Sequence, residues 1–214
     1  MNPAQSKAIA IAKRIANKLK IADGRNEIAV AAWIKNELKK AGAGPAFRII
    51  VASGKRSAKP HGFATAKKIK RGELVVVDFG ALYNGYRSDL TRTFFVGKPS
   101  IRQKKIYNLV KVAQQKAIQS VREGRECREV DGAARNYIKR GGLGKYFIHT
   151  TGHGIGKKVH QAPKISRKNR RKLKAGQVIT IEPGIYIRGW GGVRIEDLVL
   201  VGADGAEVLS TYRK

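Results

Sequence analysis

Residues 74–96 constrain the chain more than any other stretch. Two β-rich runs, LVVVDFGALY and YRSDLTRTFFV, are joined by Asn84-Gly85. Asn-Gly between such runs specifies a tight hairpin, because both residues tolerate the positive φ that a type I′ turn requires. The two-residue loop sets the register: Tyr83 faces Tyr86, Leu82 faces Arg87, Gly80 faces Asp89 and Asp78 faces Thr91. Side chains alternate along a strand, so Asp78 and Asp89 project from one face as diagonal neighbours, about 7–8 Å apart. Two carboxylates on an otherwise apolar hairpin repel each other and are costly to desolvate unless a cation neutralises them.

A second strand pair repeats the arrangement. VITIEPGIYI and VRIEDLVLV carry Glu182 and Glu196. With Ile187 and Val193 closing a five-residue loop over 188–192, Glu196 stands opposite Gly184, and Glu182 is its diagonal neighbour on the same face. Pro183 has no N–H and predicts a bulge or an edge position there. The chain has just four histidines, His61, His149, His153 and His160, three of them in FIHTTGHGIGKKVHQAP. The glycines of that segment let the backbone approach a site closely. Four carboxylates with one or two imidazoles describe a hard, oxygen-rich site suited to Mn2+, Co2+, Fe2+ or Zn2+. Carboxylates able to bridge suggest two ions about 3.5–4 Å apart, which would activate a shared water and polarise a carbonyl. The residues read as a binuclear metallohydrolase.

Around these strands, apolar periodicity predicts helices over 1–21 (Ile9, Ala12, Ala16, Leu19), 26–41, 101–122 and 128–139, and a strand over 47–53. The order helix–helix–strand–hairpin occurs twice, which predicts an α+β fold in two similar halves, about 1–100 and 101–214, within one domain. The formal charge of +30, from 45 Lys+Arg against 15 Asp+Glu, suggests an anionic partner such as nucleic acid. The cations are spread along the chain, however. The most basic stretch, PKISRKNRRKLK at 163–174, reads as a solvated connector with no aromatic residue to stack on bases. No apolar run approaches the roughly 20 residues of a membrane-spanning helix. The lone Cys127 excludes an internal disulfide and a cysteine-based zinc site, and reads as structural. The N-terminus reads as a helix and not as a secretory signal, so the expected location is cytoplasmic.

VVVDFGALYNGYRSDLTRTFFVG, HTTGHGIGKKVHQAP, ITIEPGIY and GVRIEDLVLV resemble the successive signature blocks of the pita-bread metallopeptidases. The likeness runs from about residue 5 to the C-terminus and is closer to the Xaa-Pro branch (aminopeptidase P and prolidase) than to methionine aminopeptidase. It implies two pseudo-symmetric halves, with antiparallel sheets inside and helices outside. It implies Asp78, Asp89, His153, Glu182 and Glu196 as ligands of two divalent ions, Mn2+ or Co2+ ahead of Zn2+ or Fe2+. Asp89 and Glu196 would bridge the ions, Asp78 would serve one, and His153 with Glu182 the other. Glu182 would also act as general base. His61 would contact substrate, His160 would stabilise the tetrahedral intermediate, His149 would recognise the proline side, and Arg194 would lie near metals and substrate.

The implied activity is hydrolysis of the amide before proline in Xaa-Pro dipeptides or short peptides. The alternatives are removal of N-terminal methionine, or a non-catalytic module of this fold binding ribosome or nucleic acid. Such modules typically lose metal ligands, whereas all five positions are filled here. Three points depart from the family pattern or stay open. Gln161 stands where a glutamate is usual after the catalytic-loop histidine. The chain starts at the catalytic domain's first helix, so the usual extra N-terminal domain is expected to be absent, which leaves peptide length and homodimerisation open. Trp190, in the glycine-rich loop between the metal-bearing strands, is a candidate pocket-lining residue.

Overall fold

The computed structural model describes residues 1–211. In the N-terminal half, helices α1 (Pro3–Lys18) and α2 (Glu27–Lys40) precede strands β1 (Gly44–Pro45), β2 (Ile50–Ser53), β3 (Leu74–Phe79), β4 (Ala81–Tyr83), β5 (Tyr86–Arg87) and β6 (Leu90–Phe95). In the C-terminal half, α3 (Ile101–Ser120) and α4 (Cys127–Arg140) precede β7 (Gly152–Gly154), β8 (Gln161–Ile165), β9 (Val178–Ile181), β10 (Gly184–Ile187), β11 (Gly191–Arg194), β12 (Asp197–Val201) and β13 (Ala206–Val208). The predicted helices are all present. Their starts follow the chemistry of their caps: the Asn2 and Asn26 side chains accept from the first turns of α1 and α2, and Ser100 with Gln103 forms a capping box on α3.

The likeness of the halves is written in their hydrogen bonds. Gly24 N donates to Ile69 O at 3.0 Å, as Gly124 N does to Leu173 O at 2.9 Å; Gly72 N donates to Val96 O at 2.7 Å, as Gly176 N does to Val201 O at 2.8 Å. Each half has its own apolar core between helices and sheet. One gathers Ile15, Val30, Ile34 and Leu38 with Val75, Val77 and Leu90. The other gathers Val110, Ala117, Val130 and Ile138 with Ile179, Ile181, Ile185 and Val193. Alternation then fixes where the polar residues go. Val75 and Val77 point to the helices, so Asp78 points to the inner face; Ile179 and Ile181 do the same for Glu182. The inner faces meet through Thr93 Oγ1 to Arg194 O at 2.9 Å and Glu196 N to Thr91 O at 3.2 Å.

The first hairpin has the register expected from its Asn-Gly loop: Tyr83 pairs with Tyr86, Leu82 with Arg87 and Asp78 with Thr91. Asn84 and Gly85 have φ values of 45° and 80°. The hairpin is nonetheless broken in the middle, with β3 and β6 in one sheet and β4 and β5 in another. The bend falls at Gly80, where a Cβ would overlap the Ser88 carbonyl.

The second pair corrects the expected register. Ile187 pairs with Gly191 and Gly184 with Arg194, so the loop has three residues, 188–190, and Glu182 lies directly across from Glu196, not diagonally. The cause is the 3-10 turn Gly54–Ala58, which packs flat on Gly191 and Gly192. Ser57 Oγ accepts from Gly192 N at 2.8 Å, and a Cβ on Gly192 would overlap the Ser57 carbonyl oxygen. The glycines are therefore held in the strand and not in the loop. Trp190 accordingly does not line the site; it packs against the C-terminal core with the Arg102 guanidinium 4.9 Å above its ring. The basic connector is also not all loop, since its first residues complete β8, an edge strand beside β7.

Gly192→Ala should therefore cost about 1–3 kcal/mol by overpacking. Gly189→Ala, at φ 81° with open space around it, should cost only about 1 kcal/mol of backbone strain. Chemical unfolding of the two variants checks the difference.

Candidate metal centre

The four strand carboxylates sit where the strands bend. Asp78 is in β3, two residues before the Gly80 bend; Asp89, Glu182 and Glu196 occupy the breaks between β5 and β6, β9 and β10, and β11 and β12. All four line one cavity of about 870 Å³, together with His61, His149, His153, His160 and Arg194. All nine residues expected as ligands or substrate contacts are brought together there, and only the pocket-lining candidate Trp190 is not. Asp89, His153 and Glu196 each present a ligand atom within 4.8 Å of the others. Glu182 Oε1 lies 3.2 Å and Asp89 Oδ2 3.8 Å from His153 Nε2.

The neighbours orient these groups. Thr91 Oγ1 donates to Glu196 Oε2 at 2.6 Å, and Thr180 Oγ1 donates to Glu182 Oε1 at 3.0 Å. His153 Nδ1 lies 3.0 Å from the Gly154 carbonyl. A carbonyl only accepts, so Nδ1 carries hydrogen and Nε2 faces the carboxylates. Arg194 is the guanidinium turned into the cluster. Its Nη2 donates to Asp78 Oδ2 at 2.6 Å, its Nε to Thr91 Oγ1 at 3.1 Å and its Nη1 to the Tyr186 hydroxyl at 2.8 Å.

So much negative charge out of water shifts the acids apart. Burial, then repulsion from Glu196, Asp78 and Glu182, holds Asp89 well above the usual carboxylate range. Burial, then Glu182 and Asp78, does the same to Glu196. Burial would also raise Glu182, but the hydrogen bond and charge of His153 overcome it and bring it to about 2. Two buried oxygens, Asp78 Oδ1 and Glu196 Oε1, have no hydrogen-bond donor among the described residues. A buried acceptor left without a donor is costly. Orphaned carboxylate oxygens beside an imidazole nitrogen are the donor set of a hard divalent cation, so the residues fit the metal the sequence implied.

The histidines differ in what they can offer. His149 Nδ1 lies 2.7 Å from the Thr150 carbonyl and so carries hydrogen. Its Nε2, 2.9 Å from the Tyr186 hydroxyl, therefore accepts. Both ring nitrogens are engaged, and burial keeps the ring neutral by lowering its pKa. What His149 presents to the cavity is its ring surface. The His160 ring lies 4.3 Å from that of His153 at 69°; burial, then the charge of His153, lowers its pKa. His61 rides on the loop between β2 and β3, and that loop is fastened from below. Glu27, 0 % exposed, accepts from Ser53 N and Oγ, each at 2.8 Å, and from Thr65 N and Oγ1, at 3.1 and 2.8 Å. Glu27 also pairs with Arg56, whose Nη2 donates to Phe63 O at 2.8 Å.

Glu27, Arg56, Tyr186 and Thr180 are site-building residues that the sequence reading missed, whereas the hairpin register had already set Thr91 on the site face opposite Asp78. The signal for Tyr186 and Thr180 was available in the alternation, since each shares the inner face with Glu182 and Arg194. Nothing local signals Glu27, whose partners lie 26 to 38 residues away.

The raised carboxylates give a pH test. A group that binds its proton more tightly folded than unfolded adds stability at acidic pH, and that contribution is lost as pH rises through its folded pKa. Glu182 has the opposite sign, but its window lies between about 2 and its ordinary value of 4.5. Raising the pH of metal-free protein from about 5 to 8 should therefore lower the Tm of wild type by several degrees relative to Glu196→Gln. A divalent cation at 100 times its Kd should restore about 2.7 kcal/mol to wild type and much less to the variant. Thermal unfolding with and without Mn2+ reads both effects.

Comparison with known proteins falls on these same strands. The family model described as metallopeptidase family M24 matches residues 4–203. A Xaa-Pro dipeptidase of Pyrococcus furiosus is 51% identical over 191 residues, which is 89% of this chain and 55% of the relative. The chain thus spans about half the length of the curated relatives it matches. Among solved structures, prolidase from Pyrococcus furiosus superposes with a TM-score of 0.96 at 48% identity, over 99% of this chain and 64% of that one. X-Pro aminopeptidase from Thermotoga maritima gives a TM-score of 0.93 at 40% identity, over 98% and 60%. The fold is the pita-bread fold, with mixed helices and antiparallel sheets in two pseudo-symmetric halves. On the strength of a match that takes in both bent hairpins and every carboxylate between them, the chain belongs to metallopeptidase family M24.

Proposed function

We propose that the protein is a metal-dependent Xaa-Pro exopeptidase, cleaving the amide before proline in dipeptides or short peptides. The observation that carries this is the charge imbalance of the carboxylate cluster: Asp78, Asp89 and Glu196, all buried, and the half-buried Glu182 have one guanidinium bonded among them, that of Arg194 on Asp78. Asp78, Asp89, His153, Glu182 and Glu196 would hold two divalent cations, with Mn2+ or Co2+ the first choices for such an oxygen-rich set. Bound there, the cations supply Lewis acidity to the scissile carbonyl and a water nucleophile at neutral pH.

The chain's own residues do the rest. Glu182 is a carboxylate at neutral pH, oriented by the Thr180 hydroxyl, and would receive the proton released as water attacks. His160, neutral and beside His153, offers an N–H to the developing oxyanion. His61 positions the substrate from the fastened loop. His149 has no free N–H to give, so it supports the proline ring by packing. Arg194 fixes Asp78 and spans to Tyr186 and Pro60 O. The Xaa-Pro names of the relatives support this reading over methionine removal.

A hydrolysis panel run over Mn2+, Co2+ and Zn2+ with Xaa-Pro, Xaa-Pro-Yaa and Met-Ala-Yaa peptides tests it. The Xaa-Pro peptides should be cleaved and the methionine peptides spared. Glu182→Gln should lower kcat by about 10²–10⁴-fold. No cleavage of any Xaa-Pro peptide with any of the metals overturns the proposal.

A further inference from the structure

Beside the catalytic cavity runs a second cleft of about 1060 Å³, and the two share His149, Thr150 and Lys164 as a common wall. The charged residues along this cleft are Arg135, Lys139, Lys145, Lys164, Arg167 and Lys168, with no carboxylate among its lining residues. Arg135 is committed, pinned by Asp131 and by the Phe147 and His149 carbonyls. The other five are exposed, and among the described residues none of the five has an ion-pair partner. The neighbouring cleft along α4 is different: Glu126 and Glu129 lie in it, paired with Arg128 and Arg125.

We infer that this groove seats the downstream part of an acidic peptide substrate, a Xaa-Pro chain that continues past the proline into Asp or Glu. The inference rests on the Xaa-Pro reading above. An exopeptidase working from the amino end must place that end among the acids of the cavity, so the chain beyond the scissile bond has to leave by the open side. The shared wall sets the basic groove directly beside that exit. There the potential changes sign, from four carboxylates to five unpaired cations, and a peptide with a positive amino end and a negative continuation matches both. On the groove floor Ile148 is 63% exposed, an apolar contact for a side chain between acidic ones. Phe147 is 3% exposed, so its ring offers no face on which a base could stack. That favours a polypeptide over nucleic acid.

The test compares Ala-Pro, Ala-Pro-Ala-Ala-Ala and Ala-Pro-Ala-Glu-Glu on the metal-loaded protein. At low salt kcat/KM should favour the acidic pentapeptide over the neutral one by about 3–10-fold, and about 0.5 M salt should bring the ratio towards one. The double variant Lys145→Glu/Lys168→Glu should erase or invert the ratio. Equal rates for the two pentapeptides, with Ala-Pro still cleaved, overturn the groove assignment and leave the catalytic reading standing. If Ala-Pro and both pentapeptides resist cleavage, the catalytic reading fails. The groove is then judged by anisotropy of the labelled acidic pentapeptide on metal-free protein, where binding no tighter than the neutral pentapeptide overturns it. A labelled RNA oligonucleotide that binds more tightly than the acidic peptide, and is weakened by the same double variant, overturns it in favour of nucleic acid.

Discussion

Repulsion among four clustered carboxylates, three of them held out of water, governs how this molecule is built. Asp89 and Glu196 are 5 % and 1 % exposed, and isolated charges so placed are costly unless paired or hydrogen-bonded. The fold answers with partial measures. Thr91 and Thr180 donate to two of the carboxylates, His153 shares its charge with Glu182, and Arg194 binds Asp78. Behind the strand, Arg92 holds the Thr91 and Glu196 carbonyls and pairs with Asp197, which Gln114 also bonds. That second layer fixes the backbone from which Glu196 projects. It does not remove the charge, and the remaining imbalance is what a cation corrects.

Duplication explains how such a site is assembled, and a departure from duplication explains its use. Each half contributes one hairpin bent at its acids, so the site forms only where the two inner faces meet. The first residues of α2 and α4 occupy matching places: Glu27 N donates to Lys67 O at 3.1 Å and Cys127 N donates to Arg171 O at 3.0 Å. The side chains at these places are opposite in kind. Glu27 is an ionised clasp, held below its ordinary pKa because hydrogen bonds from Thr65 and Ser53 outweigh burial. Cys127 is a buried thiol that burial pushes up, inside the C-terminal core. In the N-terminal half Glu27 grips the His61 loop directly, whereas in the C-terminal half Asp131 accepts from Thr151 and acts through Arg135, which holds the Phe147 and His149 carbonyls.

What could be read from the sequence follows from the range of the forces involved. The first hairpin was legible because Asn84-Gly85 sets its register locally and alternation carries that register to Asp78 and Asp89. The second was misjudged by two residues because its loop length depends on Ser57, more than 130 residues away, pressing on Gly191 and Gly192. Local chemistry leaves those glycines equally fit for a loop. His153 and His160 stood out by clustering around Gly154. Tyr186 was hidden as one more apolar-looking member of GIYI, although its hydroxyl joins Arg194 to His149 and burial pushes it up to about 12. Glu27 read as an ordinary acid in a helix's first turn, because its partners belong to a loop that only the tertiary fold brings over it.

The same limit applies to the charge of +30. Along the chain the cations are scattered, and a scattered excess argues for nothing more than a basic surface. Folding sorts it. Carboxylates concentrate at the bends and turn inward, because the bends are where two inner faces meet. Cations from α4, from the turn after it and from the β8 edge then converge on the rim of the same cavity with no acids between them. A field that is negative at depth and positive at the mouth is a vector, and neither net charge nor any linear pattern contains it. The order of signs from floor to rim matches a peptide's own polarity, amino end first, and opposes the insertion of a polyanion by its end. On the proposed reading, the acids at depth and the cations at the rim therefore serve a single substrate path.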